Sequence, residues 1–126
     1  MATSSTLSQR VDVRPRLRVY CGDDIALGPG KVELLATIAE TGTLREAAQR
    51  MGLSYMRAWK LVRIMNRSFR APLVVTSRGG AEKGKASLTE QGRQALALYR
   101  RMEEEALRAL CSFQPEIEAL LGDGPI

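Results

Sequence analysis

Between Arg45 and Lys85 the sequence places ten basic side chains against two acidic ones, and that imbalance is its strongest chemical signal. The cations are Arg45, Arg50, Arg57, Lys60, Arg63, Arg67, Arg70, Arg78, Lys83 and Lys85, and the acids are Glu46 and Glu82, a net +8. From Leu53 through Ala81 no acidic residue occurs at all. Guanidinium and ammonium groups at this density neutralise a polyanion, and arginine adds a planar donor fork that matches phosphate oxygens and the guanine edge. Residues 1–44 are balanced and residues 86–126 carry net −3, which completes the chain's +5. The positive field is therefore concentrated in one third of the chain, as a nucleic-acid partner requires.

Other chemistries find little support. Histidine is absent, which removes the usual neutral-pH general base and the commonest metal ligand. Cys21 and Cys111 are far apart and form no metal-spaced pair, so they read as free thiols of a reducing cytoplasm. Gly79-Gly-Ala-Glu-Lys-Gly-Lys-Ala86 misses the phosphate-cradling P-loop pattern by one residue, with Ala86 where a magnesium-binding hydroxyl is needed. That motif also needs a helix beginning at its Gly-Lys, whereas Ala86-Ser-Leu88 reads as extended. No catalytic residue and no metal site are assigned.

The basic segment is held by a helix-turn-helix pattern. Ala47, Met51, Leu53, Ala58 and Leu61 fall where two crossing helices present apolar side chains to each other, and Ala48 is small where they approach. Gly52 sits at the tight turn, which favours a residue that takes positive φ at little cost. Thr43-Leu-Arg-Glu46 fits a capping box at the first helix, with the threonine oxygen accepting the Glu46 amide and the carboxylate reaching back to the threonine amide. Ser54 is the N-cap of the second helix, which is expected to run to about Ser68.

At roughly 100° per residue, Ala58, Leu61, Val62 and Met65 share one side of that helix. Met56, Lys60, Arg63 and Arg67 lie opposite, flanked by Tyr55, Arg57 and Trp59. The arrangement describes a recognition helix over residues 55–67. Its first turns approach base edges in the major groove, so Arg57 and Lys60 are placed to donate to guanine and Met56 to pack on a thymine methyl. Arg63, Arg67, Arg70 and the Ser54 hydroxyl suit the phosphate backbone, which sets register without reading sequence. Trp59 reads as an anchor to the core, and Tyr55 is divided between core and contact.

Around this motif, Leu17–Cys21 and Ile25–Leu27 read as strands flanking a Gly22-Asp-Asp turn, and Pro29 opens a helix that Gly42 ends. Leu73–Thr76, a basic loop over 77–85 and Ala86–Leu88 make a wing, with Arg78, Lys83 and Lys85 directed at phosphates or the minor groove. Thr89 caps a long helix to about Phe113, and after Pro115 a short helix is expected over 115–121. The long helix carries Ala95, Leu98, Tyr99, Met102, Ala106, Leu110 and Phe113 as a stripe, with Leu96 and Leu107 off its line. One small core does not use so much apolar surface, so Leu98, Tyr99, Met102, Ala106 and Leu110 are expected to pair two copies of the chain. The expected fold is mainly α with a small β component, a winged helix-turn-helix over 17–126 behind a flexible tail over 1–16. No apolar run is long enough to span a membrane and no secretory h-region is present, so the protein is expected in the cytoplasm.

Gly22-Asp-Asp-Ile-Ala-Leu-Gly-Pro-Gly-Lys31, Leu34-Leu-Ala-Thr-Ile-Ala-Glu-Thr-Gly42, Ser54-Tyr-Met-Arg-Ala-Trp59, Met65-Asn66, Gly79-Gly80 and Leu88-Thr-Glu-Gln-Gly92 together carry a resemblance. Over roughly residues 17–113 the chain resembles the N-terminal DNA-binding domain of the ModE family of molybdate-responsive regulators, a winged helix related to the LysR type. The resemblance implies a homodimer joined through the N-terminal strands and the long helix. A symmetric dimer places two recognition helices about one DNA turn apart on a near-palindromic operator, and repression of molybdate-related genes is expected. Family members carry a C-terminal molybdate-binding region of small β-barrel repeats, and the sequence ends at Ile126 before any such region. Molybdate thus enters by resemblance only, with no ligand residue assigned. Two readings stand beside each other: a dimeric regulator of double-stranded DNA, and a winged-helix interaction module for a protein or RNA partner without molybdate sensing.

Overall fold

Gly22 and Asp23 turn the chain between strand β1, Val19–Cys21, and strand β2, Asp24–Leu27, which pair antiparallel. The structure, a computed structural model, describes residues 11–77 and 84–122. Helix α1, Pro29–Thr41, starts with proline in its first turn, where a missing amide costs nothing. It stops at Gly42, whose left-handed backbone lets the amide close on the Ile38 carbonyl. Helix α2 is Leu44–Met51 and helix α3 is Tyr55–Ser68. Strand β3, Val74–Thr76, pairs antiparallel with β4, Ala86–Leu88, and Thr43 adds a bridge to Lys85 on the far side of β4. Helix α4, Glu90–Cys111, and helix α5, Gln114–Leu120, complete the described chain.

The residues form two compact units. Residues 16–100 are the winged helix. Their core joins Leu34, Leu35 and Ile38 of α1, Leu44, Ala47 and Ala48 of α2, and Ala58, Val62 and Met65 of α3. Leu73, Val74, Ala86 and Leu88 close it from the wing strands, and Ala95, Leu96 and Tyr99 from the start of α4. The other unit combines the second half of α4 and α5 with residues 11–15. In it Val11 is buried and its carbonyl accepts the Gln114 Nε2 at 2.9 Å.

Three expectations change. Tyr99 does not offer its ring to a second copy: it is 1% exposed, and its hydroxyl donates to the Leu17 carbonyl at 2.7 Å. Leu96, off the expected stripe, is also in the core. A helical period locates a face without saying which body covers it, and here the core takes the side of Ala95, Leu96 and Tyr99 while Leu98 is left exposed. Lastly, α4 ends at Cys111, short of Phe113, and Pro115 lies in the first turn of α5.

Candidate nucleic-acid interface

The turn that aims α3 is built locally. Gly52 takes φ +68°, the left-handed region where a side chain is strained, and its amide reaches the Ala48 and Gln49 carbonyls. The chain then leaves extended at Ser54, whose Oγ accepts the Arg57 amide at 3.1 Å. That satisfies a free donor of the first turn. At α2, Thr43 Oγ1 accepts the Glu46 amide at 3.0 Å. The expected return bond to the threonine amide is replaced: the Thr43 hydroxyl donates to Glu46 Oε1 at 3.2 Å.

Within this frame Ala47, Ala48 and Ala58 are buried, and Met51, Leu53 and Leu61 pack half-buried against them. The other side of α3 is open. Met56 is 64% exposed, and Tyr55, Arg57, Lys60, Arg63 and Arg67 are all exposed. Three cations have distinct surroundings. The Arg63 guanidinium lies 5.4 Å from the Trp59 ring centroid. Arg67 lies 3.6 Å from the Asp24 carboxylate on β2, a pair open to solvent. Lys31, in the first turn of α1, has its pKa lowered by partial burial, with the Asp24 charge opposing that shift and the Arg57 charge adding to it. Sequence reasoning passed over Lys31 and Asp24; each stands outside the basic segment, and only the packing of the hairpin and α1 beside α3 brings them to its face.

Trp59 is half-buried against the core, in keeping with an anchor. With Tyr55 it also lines a cleft of about 610 Å³ between α2, α3 and the base of the wing, shared with Thr43, Arg45, Glu46 and Ser77. Lys85 is exposed at that base. Arg78 and Lys83 lie outside the described residues. Asn66, near the end of α3, fixes the wing: its Oδ1 accepts the Leu73 and Val74 amides at 2.9 and 3.1 Å. Among the described residues no group of acids and cysteines could hold a metal ion. No helix there is long and apolar enough to cross a membrane.

A helix presenting cations from a rigid turn, with a strand pair beside it, defines the DNA-reading winged helices. Residues 30–93 match the bacterial regulatory helix-turn-helix proteins of the lysR family, and the chain belongs to that family, one of regulators and not of enzymes. The molybdenum-pterin-binding protein MopB of Rhodobacter capsulatus is 38% identical over 91 residues, 72% of this chain and 34% of MopB. The molybdenum transport protein ModE of Azotobacter vinelandii is 35% identical over 97 residues, 77% of this chain and 36% of ModE. The chain thus spans about a third of the length of these curated relatives. A crystal structure of a LysR family transcriptional regulator superposes with a TM-score of 0.50 at 15% identity, covering 67% of this chain and 27% of that one, a likeness of fold.

Proposed function

We propose that this chain is a DNA-binding transcriptional regulator that works as a homodimer on a near-palindromic operator of molybdenum-related genes, as a repressor. The single observation behind it is the face of α3, where Arg57, Lys60 and Arg63 stand exposed, opposite Ala58, Val62 and Met65 in the core. In the major groove Arg57 and Lys60 reach base edges, Met56 packs on a thymine methyl, and Arg63, Arg67, Arg70 and Ser54 meet phosphates. The wing, with Arg78, Lys83 and Lys85, follows the backbone beside it. A dimer through the exposed Leu98 and Met102 of α4, with Ala106 and Leu110 beside them, sets two recognition helices about 34 Å apart. The molybdenum link rests on the names of MopB and ModE. The place of action is the cytoplasm, with the chromosome.

Selection of bound fragments from genomic DNA tests the reading, with and without molybdate. Enrichment of a palindromic site near molybdate-transport genes is expected, with affinity falling steeply with salt. Equal recovery of all fragments, or preference for structured RNA, rejects it. Duplex RNA is disfavoured in advance, because its deep, narrow major groove excludes a helix.

A further inference from the structure

We infer that Trp59 is a positioning residue for DNA binding, holding the Arg63 guanidinium over its ring so that the cation meets a phosphate already oriented. The inference rests on the DNA-binding reading and adds a function to a residue otherwise explained as an anchor. Trp59 and Arg63 are four residues apart on α3, one turn along the same face, and the guanidinium carbon lies 5.4 Å from the ring centroid. The ring is half-buried against the core, so packing restrains the group over which the cation lies.

What holds an arginine decides what it can still do. Arg67 is beside the Asp24 carboxylate, which offsets its charge and competes with any phosphate for its donors. Among the described residues no carboxylate pairs with Arg63. An aromatic face orients a guanidinium without neutralising it, and the in-plane N–H donors stay free along the edge of the stacked group. A free arginine loses side-chain rotamer freedom when it docks on DNA, and part of that entropy is already lost in the stacked state. Trp59 therefore raises affinity without touching the nucleic acid and without changing the number of counterions released.

A double-mutant cycle on duplex binding, read as affinity and as its salt slope, tests this. Trp59→Leu and Arg63→Lys are each expected to weaken binding by about two- to five-fold, the size of an exposed cation–π contact, with the salt slope unchanged. The double variant is expected to be no weaker than Arg63→Lys alone, and Trp59→Phe to keep most of the affinity. Arg63→Gln differs by lowering the slope by about 0.9, one phosphate. Melting curves identify variants folded at the assay temperature, and if Trp59→Leu is not, Trp59→Phe takes its place in the cycle. Independent, multiplicative losses from the Trp59 and Arg63 substitutions overturn the inference while DNA binding stands. A wild-type protein that does not bind duplex DNA removes both.

Discussion

Asn66 grips Val74 at both ends of its backbone: Oδ1 accepts the Val74 amide at 3.1 Å and Nδ2 donates to the Val74 carbonyl at 3.0 Å. The same Oδ1 takes the Leu73 amide at 2.9 Å. One side-chain amide thus joins the end of α3 to the first wing strand and fixes the angle between them. Leu73 and Val74 are buried, so their amides have no water to turn to if Asn66 is lost. Asn66→Ala is expected to cost about 2 kcal/mol, the penalty of stranding buried amides. Asn66→Asp keeps the acceptor but sets a carboxylate against the Val74 carbonyl, and is expected to be destabilising as well. Urea unfolding followed by fluorescence of Trp59, the sole tryptophan, measures both. Unchanged midpoints would show that the clip is dispensable.

Gly92, in the first turn of α4, sits where a side chain has no room. A methyl group built there would lie 2.1 Å from the Leu73 carbonyl oxygen, an overlap that only a backbone shift could relieve. The carbonyl is held in place, since it accepts the Thr89 amide at 2.9 Å while Thr89 Oγ1 caps the Gly92 amide at 2.9 Å. In an open helix Gly→Ala gains about 1 kcal/mol. Here the sign is expected to reverse, with Gly92→Ala losing about 2 kcal/mol, in the range of overpacked cores. A thermal midpoint equal to or above wild type would mean that α4 shifts away from Leu73 at no cost.

Base reading and backbone contact separate by substitution. Arg57→Ala and Lys60→Ala are expected to cost about 1–3 kcal/mol at one base pair of a selected site and much less on random DNA. Lys85→Ala, at the wing base, is expected to weaken all duplexes about equally and to reduce the salt slope by about 0.9. Gel-shift titrations on cognate and scrambled duplexes distinguish the two patterns. Equal losses on both duplexes would remove Arg57 and Lys60 from the readout.

Leu98 is 55% and Met102 39% exposed on α4, unusual for large apolar side chains one turn apart. Leu98→Glu with Met102→Glu is expected to give a monomer by sedimentation velocity and to abolish cooperative filling of two half-sites. Each isolated half-site is expected to bind as in wild type, since neither residue is among the proposed DNA contacts. A wild-type protein that sediments as a monomer at micromolar concentration would end the dimer reading.

What the sequence made legible is what a few neighbouring residues decide. Gly52, Thr43 and Ser54 announce their turn and caps because each bonds a backbone group within four residues. The buried side of α3 follows from its period for the same reason. Asn66 and Gly92 were visible as residue types but not as devices, because their partner, the Leu73–Val74 backbone, is brought to them only by tertiary folding. Tyr99 shows the same limit in reverse. Its place on an apolar stripe was plain, yet the hydroxyl's contact with the Leu17 carbonyl spans 82 residues and no local pattern encodes it. The Trp59–Arg63 pair lay within reach of the helical wheel. Spacing of four between an aromatic and an arginine was the signal that could have found it.

Asp24 is an acidic residue beside the cations of α3, 3.6 Å from Arg67. Its charge also favours the protonated form of Lys31, against the burial that lowers that pKa. Both partners of the Arg67 pair are more than half exposed, so solvent screens it and its removal is expected to change stability very little. Binding should respond more. A phosphate approaching Arg67 meets the Asp24 carboxylate as a competitor and as a like charge, and Asp24→Asn removes both obstacles while keeping the side chain's size. Affinity for duplex DNA is expected to rise about three-fold at ~0.1 M salt, with a steeper salt slope by no more than about 0.9. The gain should be equal on cognate and scrambled DNA, so that the specificity ratio stays constant. Arg67→Gln in the same background should cancel it. Unchanged affinity and slope in a folded Asp24→Asn protein would place the hairpin away from the duplex and take Arg67 out of the phosphate contacts.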